Sequence, residues 1–110
     1  MVQLKDFTAF DWDAANTSKF QRHGVSIAEI EQVLAGGATL IVPDLKNSDA
    51  EPRFLGIGLT AGRRYLFVVF TPRDNEGSTV LRPISARYMH RKEIKRYEQE
   101  IARLSKRSRS

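Results

Sequence analysis

Three groups of residues in this chain have the types and spacing to do chemistry. Lys19, Arg22 and His23 come just before Gly24. On a helix, Lys19 and His23 would share a face. The negative end of a helix dipole suits cationic side chains, and imidazole exchanges protons near neutral pH. The same residues also suit a plain cap on the last helical carbonyls. The second group lies on strand-like segments. Arg53 shares an alternation with Leu55, Ile57 and Leu59, Arg64 opens an apolar run, and Arg82 alternates with Val80 and Ile84. Guanidinium groups emerging over a sheet would form a donor array for phosphate; otherwise they are solvated outer-face arginines. Gly56 and Gly58 share one face, leaving a shallow trough or admitting a close-packed helix. The third group is the run Ile84-Ser85-Ala86-Arg87-Tyr88-Met89-His90-Arg91-Lys92-Glu93, where strand passes into helix. It puts Arg87 and Tyr88 at the junction and Glu93 about a turn inside. Glu93 also suits a dipole partner at a helix start, and His90 a packed position on an apolar stripe.

The chain has no cysteine, which removes disulfides, thiol catalysis and cysteine-based zinc sites. With two histidines and no carboxylate cluster, the expectation is no metal site and no cofactor.

The elements that must position these groups are readable in outline. Phe7, Phe10 and Trp12 mark a first strand ending at Asp13, and residues 14–23 a short helix stopped by Gly24. Ser26-Ile27-Ala28-Glu29 is a capping box, with Val25 and Ile30 spaced as its hydrophobic staple. Ile27, Ile30, Val33 and Leu34 form the buried stripe of that helix, which Gly36-Gly37 ends. Thr39–Val42 reads as a strand, Pro43–Pro52 as a polar loop, Arg53–Thr60 as a strand and Ala61-Gly62-Arg63 as a turn. Arg64–Thr71 is β-branched, aromatic and apolar on both faces, which places it centrally in a sheet. A turn is expected over Pro72–Gly77, then a strand over Ser78–Ala86, in which Pro83 requires an edge or a bulge. A final helix is expected from about Met89 to Leu104, with stripe His90, Ile94, Tyr97, Ile101 and Leu104. The order β-α-α-β-β-β-β-α indicates an α+β domain with an antiparallel sheet and helices packed on one side of it. Residues 1–104 would form this single domain and 105–110 a disordered basic tail.

Composition narrows the function. At 110 residues there is room for one core. The N-terminal run MVQLKDFTAFDWD carries acids where a signal peptide needs apolar residues, and no later segment has the length of a membrane span. A soluble, cytoplasmic protein is expected. Charge is segregated: residues 1–52 carry four Lys or Arg against eight acids, a net of −4, and residues 53–110 fourteen against five, a net of +9. Removing Ser105–Ser110 leaves the second half at +6, so the asymmetry does not rest on the tail. Such a half favours a polyanionic partner.

The ordered motifs resemble one family. Phe10-Asp11-Trp12-Asp13, then His23-Gly24-Val25-Ser26 with an acidic amphipathic helix, is similar to the N-terminal signature of the BrnT toxins. The likeness continues through Arg53-Phe54-Leu55-Gly56-Ile57-Gly58-Leu59-Thr60 and Gly62-Arg63-Arg64-Tyr65-Leu66. It closes with Ile84-Ser85-Ala86-Arg87 and a helix bearing Lys92-Glu93 and Tyr97, covering roughly residues 7–98. The sequence departs from the commonest pattern at Lys19 and Arg22, and by one residue between Trp12 and His23.

The resemblance implies a RelE-like fold and a ribonuclease toxin of a type II toxin–antitoxin system, which inhibits translation by cutting RNA. It also implies a BrnA-like ribbon-helix-helix antitoxin, with DNA contacted only through that partner. Cleavage through the RNA's own 2′-hydroxyl needs a proton acceptor, a cation for the phosphorane charge and a proton donor. On that basis Arg64 and Arg87 are expected to stabilise the phosphate, with His23 and Glu93 as acid and base and Tyr88 as a further donor. Lys19, Arg53, Arg82 and Lys92 are expected to bind the RNA backbone. The exposed side of the helices in residues 14–35 is expected to face the antitoxin. Two rival readings fit charge equally well: a non-catalytic RNA-binding or co-repressor module, and a structural partner docking an acidic protein segment.

Overall fold

The computed structural model describes residues 7–36, 40–44 and 51–108, with side chains through Arg103. Its element order is β1 (Phe7–Phe10), α1 (Ala14–Arg22), α2 (Ile27–Ala35), β2 (Leu40–Pro43), β3 (Phe54–Leu59), β4 (Tyr65–Asn75), β5 (Ser78–Tyr88) and α3 (Arg91–Ser108). This is the expected α+β order of a RelE-like fold. The expected strand start at Thr39, the glycine at 37, part of the polar loop (45–50) and the tail residues 109–110 lie outside the described residues. The backbone of α3 continues past Leu104 to Ser108.

Local signals set the helix ends. Asp13 caps α1 by accepting from the Asn16 N–H while the Asn16 side chain accepts from the Asp13 N–H, a capping box not read from the sequence. At the other end the Val25 N–H reaches the Phe20 carbonyl and the Gly24 N–H the Gln21 carbonyl. This is a Schellman motif, and it needs the left-handed φ of +75° at Gly24. Ser26 and Glu29 form the expected box at the start of α2.

The sheet order is β1-β5-β4-β3-β2, with β4 in the centre as expected. Four strands are antiparallel, and β1 is the exception because it joins β5 in parallel. Nothing local could impose that pairing, since the partners are far apart in sequence. The β4–β5 hairpin is longer than expected. Pro72 lies within β4 opposite Leu81, and the turn contracts to Glu76-Gly77, both at positive φ, as a two-residue hairpin loop requires. The irregularity that Pro83 demands is a bulge. Val69 pairs with Ser85 and Phe70 with Pro83, leaving Ile84 as the extra residue.

Alternation divides the sheet into two faces. Leu66, Val68 and Phe70 of β4 are fully buried with Phe20, Ile30, Val33 and Leu34 from α1 and α2. Gly56 and Gly58 pair with Val68 and Leu66 on this face, so here the glycines admit the α2 helix rather than forming a trough. The opposite face carries Ile57, Phe67, Val69, Ser85 and Arg87 in paired rows. The helices do not all lie on one side, contrary to the sequence expectation. α3 turns to this second face, where Tyr97 meets the Tyr65 ring edge-on at 5.3 Å. Only part of the face is covered, so Phe67 and Val69 remain half-buried.

Candidate active site

β1 pairs with β5 only as far as Leu81. Beyond that point no described strand lies on the outer edge of β5, and α1 takes its place. Buried Asn16 fastens the helix there, its side-chain amide donating to the carbonyls of Asp11 and Pro83. This anchorage sets Lys19 of α1, and His23 at its C-terminal cap, beside the free half of β5. Lys19, His23, Phe67, Val69, Ser85, Ala86 and Arg87 line one cavity of about 280 Å³. The expected shared face of Lys19 and His23 is thus what brings both to Arg87.

Arg87 is half exposed and held in a defined pose. Its two terminal nitrogens donate to the two carboxylate oxygens of Glu93, each at 2.7 Å, and its guanidinium carbon lies 4.8 Å from the Phe67 ring centroid. Glu93 also accepts from the His90 N–H at 2.9 Å. The Arg87 hydrogen bonds, followed by this backbone bond, hold the Glu93 carboxyl at a pKa of about 2. The same pair raises the Arg87 pKa. His90 is exposed and caps α3, its carbonyl accepting from the Ile94 N–H, and so stands outside the apolar stripe expected to include it.

The remaining sequence candidates fall elsewhere. Tyr88 pairs with Leu66 and so faces α2, on the side of the sheet opposite Arg87. Its hydroxyl donates to Glu29, at 2.7 and 2.9 Å to the two oxygens, and lies 3.3 Å from the Gly24 carbonyl. The Glu29 hydrogen bond, and then burial, raise the Tyr88 pKa. Burial pushes the Glu29 carboxyl up, but bonds from Tyr88 and Ser26 outweigh it and leave the net shift downward. Arg64 stacks on the Tyr88 ring at 3.4 Å, so it too is separated from Arg87 by the sheet. The expected Arg64–Arg87 phosphate clamp is not assembled.

Arg82 shares the Arg87 face, but its guanidinium contacts Asp13 at 2.8 Å and Asp11 at 3.4 Å, with its side chain 18% exposed. It ties the β5 edge to the start of α1. Arg53 precedes β3, four residues from Ile57 in the Arg87 row, or roughly 13 Å along an extended chain. Lys92 is exposed in the first turn of α3. The structure therefore brings Lys19, His23, Arg87 and Glu93 together. It adds Phe67 and Val69, which the sequence did not single out, and Ser85, which the sequence placed in the strand-to-helix run without a role. Their only signal was the register of β4 on β5, and the bulge at Ile84 hides that from simple alternation.

Among the described residues no group of three or more His, Asp or Glu could hold a metal ion, and no helix is long and apolar enough to cross a membrane. No curated protein matches the chain. Residues 12–93 match the model of the family described as the ribonuclease toxin BrnT of type II toxin–antitoxin systems. That match spans from Trp12, which packs edge-on against Phe20 of α1, to Glu93 beside Arg87. The chain belongs to the BrnT family of ribonuclease toxins.

Proposed function

We propose that this protein cuts RNA without a metal ion, at the recess formed by Lys19, His23 and Arg87. The observation that carries the reading is the convergence of these three side chains, from α1 and β5, on one cavity of the open sheet face. In this mechanism the 2′-hydroxyl attacks the adjacent phosphorus. The new 2′-oxygen–phosphorus bond forms as the bond to the 5′-oxygen breaks, leaving a 2′,3′-cyclic phosphate and a 5′-hydroxyl. Arg87 and Lys19 offset the charge that builds on the phosphorane oxygens. His23 is the proton-exchanging group, because imidazole can both accept and donate a proton near neutral pH.

Glu93 acts through Arg87. A carboxyl held at a pKa of about 2 is ionised at neutral pH and is a poor proton donor. Its two oxygens instead orient the guanidinium. Arg64 and Tyr88 brace α2 against the sheet, and Arg82 braces α1.

The family implies an antitoxin, for which we propose a BrnA-like ribbon-helix-helix protein as the partner and the only route to DNA. Its contact surface is the outer side of α1 and α2. Incubating purified protein with RNA in EDTA tests the enzymatic reading. Fragments ending in cyclic phosphate, lost in His23→Gln, support it. RNA retained intact in a salt-sensitive complex would favour the non-catalytic binding module instead.

A further inference from the structure

Phe67 has no part in that chemistry, yet it occupies the floor of the site. Its strand neighbours Leu66 and Val68 are fully buried under α1 and α2, whereas Phe67 points to the other face and is half-buried. It contributes to the cavity containing Lys19, His23 and Arg87. It also lines a second cavity of about 360 Å³ on the α3 side, together with Leu40, Ile57, Met89, Tyr97 and Glu93. The Arg87–Glu93 pair therefore stands between two recesses that share one aromatic ring. An apolar ring beside a cationic rim is what a nucleotide strand presents in complement, with charge on the backbone and π-faces on the bases.

We propose that Phe67 is a stacking platform for an unpaired nucleobase, so that the substrate class is single-stranded RNA. The inference rests on the ribonuclease reading for its site and extends it to the substrate. A phosphate on the Arg87 guanidinium, itself 4.8 Å from the ring centre, places the adjoining base within one nucleotide's reach of Phe67. The Arg87–Glu93 pair is neutral as a unit, so Lys19 supplies the net positive charge of the rim, while Arg87 keeps the N–H donors that Glu93 does not take. A duplex does not fit the same arrangement. Its bases stack on one another and offer no free face, and A-form RNA is recognised mainly through backbone and shape. The cationic rim also favours a nucleic acid over an apolar peptide as the occupant.

Binding separates this inference from cleavage. The probe is a short single strand, 2′-O-methylated throughout so that no 2′-hydroxyl can attack, compared with an abasic strand bearing the same phosphates. Phe67→Leu keeps an apolar side chain and removes the ring; Phe67→Tyr keeps the ring. Thermal melting of each variant confirms that it is folded. Phe67→Leu is expected to bind the base-bearing strand roughly 5- to 150-fold more weakly, from the usual worth of one stacked base. Phe67→Tyr should match wild type, and all three proteins should bind the abasic strand alike. Equal affinity of Phe67→Leu and wild type for the base-bearing strand overturns the proposal, as does an equal loss on both strands. The same proteins are then given unmodified RNA. Phe67-dependent binding with no cleavage would leave the platform standing and remove the ribonuclease reading. Cleavage with binding indifferent to Phe67 would do the reverse.

Discussion

Replacing Glu93 by Gln separates positioning from proton transfer at this site. The substitution keeps the shape and removes the charge that Arg87 grips. With the carboxyl held at a pKa of about 2, roughly one molecule in 10⁵ carries the proton at pH 7, too few for a working acid. A true general acid or base contributes about 10²–10⁴-fold. Glu93→Gln should therefore lower kcat by less than about tenfold and leave the limbs of the pH–rate profile in place, while KM rises as Arg87 loses its fixed pose. Glu93→Asp, which keeps the charge, should recover part of the KM. The stability cost is small, because the Arg87 side chain is 50% exposed and the Glu93 side chain 32%. For such a pair about 0.5–1 kcal/mol is expected, or about 2–8 °C in Tm. The Glu93 pKa is depressed on folding, so the pair stabilises fully above the unfolded carboxyl pKa near 4.5. That contribution is lost as pH falls towards 2. Wild type and variant should thus converge in stability in strong acid. A kcat loss of 10² or more, with the acid limb of the profile abolished and KM unchanged, would refute the positioning role.

Other substitutions test the remaining assignments. Tyr88→Phe removes the hydroxyl that donates to Glu29 and should cost about 1–2 kcal/mol in denaturant unfolding, with kcat within about threefold. A hundredfold fall in kcat would make Tyr88 a catalytic donor after all. Gly24→Ala meets no atom within 4 Å at the new Cβ, so its cost is that of the left-handed backbone alone, about 1–2 kcal/mol by denaturant midpoint. Arg82→Met should lower Tm through loss of the Asp11 and Asp13 contacts, and leave the salt dependence of RNA binding unchanged; a slope reduced by about one would mean it contacts phosphate.

What the sequence revealed, and what it hid, divides by range. The Schellman stop at Gly24, the Ser26–Glu29 box and the central position of β4 rest on contacts within a few residues or on one strand's own composition. They were legible. So was the pairing of Lys19 with His23, because helical spacing is fixed. The parallel union of β1 with β5 and the side of the sheet chosen by α3 depend on distant partners, and local patterning does not specify them. The facing of each arginine was the costliest omission. Which strand residues share a face follows from register, and the bulge at Ile84 shifts it midway along β5. That shift puts Arg87 over Phe67 and sends Tyr88 to α2. The adjacent labels Arg87 and Tyr88 suggested one site, whereas alternation places them on two.

The central claim is that Arg87, set between His23 and Glu93, stabilises the cleaved phosphate. The most direct test is the rate of RNA cleavage by wild type and Arg87→Ala in EDTA, with circular dichroism confirming that both are folded. Loss of one such charge stabiliser should lower kcat by about 10²–10³ while the melting curve keeps its shape. A folded Arg87→Ala protein that cuts RNA as fast as wild type would contradict the account.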